Sequence, residues 1–305
     1  MRYAALVTAS AAVVAVMALP RDGRSESAAA PVAPAQARTA ERAATQEDFR
    51  WSGRIARGKT IEIAGLLGDV RAEHTSGDRV EVVGRRLGDD ADQVRIEVVE
   101  QADGDVLICT IYPTRERSSN RASRSERGRS DDDGPCRNGH SGELSLDADE
   151  ARVDFTVRVP EGVQLAARTV DGDIEATGLR SPVDAASVSG SVRVSTTATA
   201  RAATVSGNVD ATFGQADGDD MEFVSVSGNV VVRVPSSMGA QVEARTLSGD
   251  IESDFDLDMG PGDRATRRGG LHIEIGKQAT GTIGRGGPEL NVNTVSGDIR
   301  LLRNR

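Results

Sequence analysis

The sequence predicts an all-β, single-domain β-solenoid with coils of about 17–21 residues and a long disordered insertion. Three observations predict it. A six-residue phrase (Ser or Thr, apolar, Ser or Asp, Gly, polar, apolar) recurs through the C-terminal half. The segments around it alternate apolar and polar residues, the period of strands with one buried face. Aromatic residues make up only 3% of the chain, which suits a core one or two side chains wide.

The N-terminus comes first. Arg2 precedes an apolar run from Ala4 to Leu19, followed by small residues ending Pro34-Ala35-Gln36-Ala37. This is the pattern of a secretory signal peptide within residues 1–37, cleaved after Ala18, Ala30 or Ala37, with an uncleaved anchor as the alternative. The address is extracytoplasmic: periplasmic, cell surface or secreted. Residues 38–48 have no useful apolar period and read as a flexible tether, leaving 49–305 as the solenoid. Phe49 and Trp51 supply an apolar start that could cap one end.

The chain has two cysteines, Cys109 and Cys136. In an oxidising compartment an even count points to a disulfide. Between them, residues 113–142 form a polar loop in which Arg115, Arg117, Arg121, Arg124, Arg127 and Arg129 precede Asp131-Asp132-Asp133. So polar a stretch is expected to be disordered, as a solvated insertion or an electrostatic landing site for an anionic envelope polymer. Residues 254–270 read as a second inserted loop.

The copies of the phrase are Thr169–Ile174, Ser187–Val192, Thr204–Val209, Ser225–Val230, Thr246–Ile251 and Thr294–Ile299. Their glycines, Gly172, Gly190, Gly207, Gly228, Gly249 and Gly297, lie 18, 17, 21, 21 and 48 residues apart, the last interval leaving room for two coils plus an insertion. Units this small cannot bury their apolar side alone and must stack. Counting by twos through each glycine puts Val170, Val188, Val205, Val226, Leu247 and Val295 on the core side with Ile174, Val192, Val209, Val230, Ile251 and Ile299. The glycine itself is either a corner residue at positive φ or the small member of a crowded inward column. The same count sends Thr169, Ser187, Thr204, Ser225, Thr246 and Thr294 outward, beside Ser189, Ser206, Ser227, Ser248 and Ser296. That hydroxyl array is the candidate binding face for a repeating polymer; a plain solenoid wall would look the same.

A longer duplication supports true repetition: Val157-Arg158-Val159-Pro160 followed by Ala167 to Glu175 matches Val232-Arg233-Val234-Pro235 followed by Ala244 to Glu252. This strand ending in Val-x-Val-Pro, with its train of Val-Ser-Gly-Asp/Asn-Ile/Val phrases, resembles the bacterial putative-adhesin domain, a β-strand-repeat family without assigned function. The resemblance is most specific from Val153 to Leu302 and extends back to Lys59 through Ile61-Glu62-Ile63, Gly68-Asp69-Val70-Arg71 and Val80-Glu81-Val82-Val83. It implies an extracytoplasmic β-solenoid and brings no catalytic residues with it.

Chemistry is sparse. A net charge of −10 argues against nucleic acid or an anionic membrane as main partner, and no insertion of the mature domain into a membrane is expected. His74, His140 and His272 show no metal-ligand spacing, and the Asp-rich stretches at 89–92, 103–105, 217–220 and 254–263 match no calcium loop. No metal or cofactor is expected. A glycan lyase or hydrolase is the competing class, since such enzymes also use β-helices. Here Asp173, Glu175, Asp250, Glu252 and Asp298 recur with the repeat instead of forming one singular constellation, and Trp51 and Tyr112 offer little sugar stacking. The sequence therefore predicts a non-catalytic binding, adhesion or scaffolding module whose partner is a cell-envelope glycan or a surface protein. An accessory role in envelope-stress signalling is the other alternative. Arg300, Arg303 and Arg305 follow the last phrase and are expected to discourage strand pairing at that end.

Overall fold

The computed structural model describes residues 48–115, 136, 143–144, 151–214, 219–261, 264–266, 272–274 and 276–304. Residues 1–37, expected to be a signal peptide, all but the last residue of the expected tether 38–48, and most of the 113–142 loop and of residues 262–271 lie outside them.

Each phrase carries the chain from one sheet into another. Gln164–Asp171 runs in the first sheet, the chain turns at Gly172-Asp173, and Ile174–Leu179 runs in the second. A short turn through Ser181-Pro182 returns it to Val183–Ser189, one strand along. Repetition builds two facing sheets of parallel, in-register strands. In the first, Thr169 pairs with Ser187, Ser187 with Thr204, and Thr204 with Ser225. In the second, Ile174 pairs with Val192, Val192 with Val209, and Val209 with Val230. The described strands form an 11-stranded first sheet and a 10-stranded second sheet. The all-β solenoid follows from the repeat as expected.

The core lies between the sheets. On the first sheet the inward residues are Leu165 and Ala167, Val183 and Ala185, Ala200 and Ala202, and Met221 and Phe223; on the second they are Ile174, Ala176, Val192, Val194, Val209 and Val230. Small alanines on one wall face branched residues on the other, which sets a narrow spacing. Where the wall carries Phe223, the ring stacks on Phe213 at 5.7 Å.

The amino-terminal end is antiparallel. Phe49–Gly53 pairs with Val80–Leu87, which pairs with Arg152–Pro160. Phe49 and Trp51 pack against the core from that edge strand. Thr60–Ala64 and Val70–Thr75 form a degenerate coil under the first full one, and Gly68 takes the repeat glycine's place with φ +120. Val106–Ile111 pairs with Thr60–Ala64, and its Cys109 is bonded to Cys136 with a Cα separation of 5.7 Å.

The carboxy-terminal end departs from sequence order. The interval between Gly249 and Gly297 holds no further copy of the phrase among the described residues. Instead Lys277–Ile283 lies antiparallel against the outer side of Ala240–Ser248. The chain then crosses, and Glu289–Ser296 enters between Met221–Ser227 and Ala240–Ser248, parallel to both. Ile299–Asn304 likewise enters between Val230–Pro235 and Ile251–Ser253. The spatial order of the glycines is therefore 68, 172, 190, 207, 228, 297, 249. Arg300 and Arg303 do not guard an edge: they stand on an interior strand, where Arg300 meets Glu252 at 3.0 Å and Arg303 lies over the Phe255 ring at 4.7 Å.

Candidate functional site: the corner of the rack

The phrase folds as it does because each position has its own task at the corner. The glycines hold φ between +151 and +155, and a Cβ on any of them would lie 1.9–2.2 Å from the carbonyl oxygen of the glycine one coil below. Both readings of the glycine hold at once, the positive φ and the crowded column.

The Ser or Thr three residues earlier is buried, contrary to the outward placement expected from the sequence. Thr169, Ser187, Thr204, Ser225, Thr246 and Thr294 are only 1–5% exposed. Each hydroxyl donates to the glycine carbonyl below: Thr169 to Gly68 at 3.0 Å, Ser187 to Gly172 at 3.0 Å, Thr204 to Gly190 at 2.8 Å and Ser225 to Gly207 at 2.9 Å. Thr294 reaches Gly228 and Thr246 reaches Gly297, both at 2.9 Å. At the corner the peptide carbonyl leaves the sheet ladder, and the hydroxyl satisfies it inside the protein. This column is internal structure and not a binding face.

The valines expected inside are outside. Val170, Val188, Val205, Val226, Val295 and Leu247 are 41–51% exposed and stand in one straight column on the outer side of the first sheet. The period of two breaks at the glycine: the chain turns from one sheet to the other, and the inward face moves from Thr169 to Ile174. The missed signal was upstream. Apolar residues two and four before each Ser or Thr, such as Leu165 and Ala167 before Thr169, place that hydroxyl on the core face and the next residue opposite.

The second serine behaves as predicted in exposure. Ser189, Ser206, Ser227, Ser296 and Ser248 are exposed and in register, and their hydroxyls bond to no described residue. An apolar column and a free hydroxyl column thus run side by side, the first for about 24 Å and the second for about 19 Å at the usual strand spacing.

Beyond the glycine, the polar residue forms a fourth column. Asp69 Oδ1 accepts from the Asp173 amide at 2.9 Å, Asp173 Oδ1 from the Ser191 amide at 2.7 Å, and Ser191 Oγ from the Asn208 amide at 3.3 Å. Asn208 then accepts from Asn229, Asn229 from Asp298 and Asp298 from Asp250, at 2.8, 2.8 and 2.9 Å. Beside it on the second sheet, Arg71, Glu175, Arg193 and Asp210 alternate in charge, with Arg71 and Arg193 reaching Glu175 at 3.2 and 3.9 Å. The two columns border a shallow groove of about 380 Å³.

Elsewhere, a cleft of about 410 Å³ is lined by His74, Asp78, Arg57, Glu161 and Arg180, with Glu161 between the two guanidinium groups at 3.5 and 3.9 Å. The His74 Nδ1 there has no partner among the described residues. No group of three or more His, Cys, Asp or Glu among the described residues is placed to hold a metal. His140 lies outside the described residues. The Tyr112 hydroxyl donates to the Leu67 carbonyl at 3.1 Å, and burial pushes the phenol's pKa well above its ordinary value, a shift that this bond opposes and Asp154 reinforces.

The chain is similar in structure to a putative cell adhesion protein from Clostridium sporogenes, at 10% identity over 85% of this chain and 100% of that one, with a TM-score of 0.41. It is also similar to a putative adhesin from Bacteroides fragilis, at 12% identity over 85% and 98%, with a TM-score of 0.30. No curated protein matches the sequence. The model of one family does match, from residue 55 to 302, across the degenerate first coil and every copy of the phrase. The chain belongs to the Toastrack DUF4097 family.

Proposed function

We propose that the protein is a non-catalytic binding or scaffolding module of the cell envelope, working in an extracytoplasmic compartment and holding an extended envelope polymer along the corner of the rack. One observation carries the reading. Apart from Met259, every large apolar side chain exposed among the described residues stands in the single column from Val170 to Leu247. Scattered exposed valines would need no explanation, but a straight file of six does. Flanked by unbonded serine hydroxyls, the file suits a partner that is itself periodic and amphiphilic, a glycan chain or an extended segment of a surface protein. The Cys109–Cys136 bond fits an oxidising compartment.

The acids that a glycan-cleaving enzyme would need are committed elsewhere. The Asp173 and Asp298 carboxylates accept in the hydrogen-bond ladder, that of Asp250 is paired with Lys277, and Glu175 and Glu252 are paired with arginines. Co-sedimentation of the chain with isolated peptidoglycan and with whole envelopes, at low and high salt, tests the proposal. Retention that survives high salt is expected, because the strip carries no charge. Retention abolished by salt would move the contact to the Arg-rich insertion, and no retention at all would overturn the reading.

A further inference from the structure

The out-of-sequence entry of the last strands carries an inference about a second copy of this chain. Thr294-Val295-Ser296-Gly297-Asp298-Ile299 and Thr246-Leu247-Ser248-Gly249-Asp250-Ile251 differ at one position. The Gly228 coil offers the phrase above it a carbonyl for the Thr hydroxyl and the Asn229 carboxamide for the next amide. Thr294 and Asp298 take both, and the Gly297 coil then offers its own carbonyl to Thr246 and the Asp298 carboxylate to the Asp250 amide. Either phrase therefore meets the Gly228 coil's requirements, yet the structure seats the one that arrives last in the chain.

To reach that seat the chain must cross the entrance of Ala240–Ser248. It does so through Gly284-Arg285-Gly286-Gly287-Pro288, packed on Met238-Gly239 so closely that a Cβ on Gly239 would lie 2.2 Å from the Gly286 oxygen, and one on Gly287 2.5 Å from the Gly239 oxygen. Connections between neighbouring elements rarely cross in this way. Glycines on both sides of the crossing let it form, and they also give the segment the freedom of a hinge. The inserted piece, Glu289–Asn304, has strands on both sides in both sheets, so every backbone group it uses would be satisfied equally well by the same slot in another molecule.

We propose that the slot between the Gly228 and Gly249 coils is a strand-acceptor site, and that it takes Glu289–Asn304 either from its own chain or from a second copy. Exchange of an identical element keeps every contact and changes only which chain supplies it. The tether through 284–288 favours the internal strand while chains are dilute; crowding toward the effective concentration of that tether, about millimolar, favours the neighbour's.

Val231 and Arg300 are direct partners across the slot, both at its outer face. Full chains carrying Val231→Cys alone and Arg300→Cys alone are mixed at high concentration, unfolded together in acidic urea with the native disulfide intact, refolded and then oxidised. The expected product is a covalent heterodimer on non-reducing gels that is absent from the control mixture of Ser52→Cys with Arg300→Cys, Ser52 lying on the opposite end strand. The wild-type chain refolded in the same way should show a dimer by light scattering. The chain carrying both Val231→Cys and Arg300→Cys, oxidised first as a dilute monomer, should not. Equal heterodimer in the control, no heterodimer from variants that regain wild-type unfolding curves, or a wild-type chain that stays monomeric at every concentration would each overturn the proposal.

Discussion

The Thr204 hydroxyl donates a 2.8 Å hydrogen bond to the Gly190 carbonyl oxygen, joining one coil to the next at the point where both leave the sheet ladder. No backbone amide among the described residues reaches that oxygen. Thr204→Val keeps the shape and leaves the carbonyl buried without a donor. It should destabilise the protein by about 1–3 kcal/mol in urea unfolding, while Thr204→Ser should cost clearly less.

Glycine substitutions separate crowding from conformation. A Cβ at Gly228 would lie 1.9 Å from the Gly207 oxygen at φ +152, whereas at Gly178, with φ +65, it would meet nothing within 4 Å. Gly178→Ala should therefore cost about 1–2 kcal/mol, the ordinary penalty for a left-handed residue. Gly228→Ala should cost more than about 3 kcal/mol or prevent folding, because strain and collision add. Equal effects in thermal unfolding would contradict the stacked-glycine account.

Two valines four residues apart should behave oppositely. Val226 is 42% exposed and Val230 fully buried. Val226→Ser should change stability by less than about 1 kcal/mol. Val230→Ser loses its burial and places a hydroxyl in the core, for more than about 3 kcal/mol in the same measurement.

That contrast also marks what the sequence allowed and where it failed. Six copies of the phrase, with Gly207 and Gly228 in equivalent places, were enough for a stacked all-β solenoid, since spacing and alternation are local properties. The phase at the corner was not legible by counting twos from Val226 to Val230, because the intervening glycine turns the chain into another sheet. The insertion of Thr294–Ile299 beneath Thr246–Ile251 was hidden for a different reason. The two phrases are nearly interchangeable, so no residue in either says which sits nearer Gly228. The polar position after glycine carries no sign of its partner in the sequence, because the ladder from Asp69 to Asp250 emerges only once the coils are in register.

Alkaline pH should weaken the fold through Tyr112. Its folded pKa is raised chiefly by burial, so its contribution to stability is fully present below the unfolded value near about pH 10 and is lost as pH rises through the folded one. Unfolding free energy should fall above about pH 10, and Tyr112→Phe should flatten that limb in urea titrations at successive pH values.

Removal of the Cys109–Cys136 bond by Cys136→Ser should lower stability by about 2–4 kcal/mol without changing the far-ultraviolet dichroism of the sheets. Loss of the β signal would mean that the bond organises the fold instead of bracing it.

The central claim is that the valine file at the corner is the contact surface, and its most direct test compares the wild-type chain with Val188→Ser/Val205→Ser/Val226→Ser in co-sedimentation with isolated envelopes at high salt. All three positions are exposed, so the variant should unfold close to the wild type. The account predicts that the wild type is retained and the variant stays in the supernatant. Equal retention of a folded variant would contradict it.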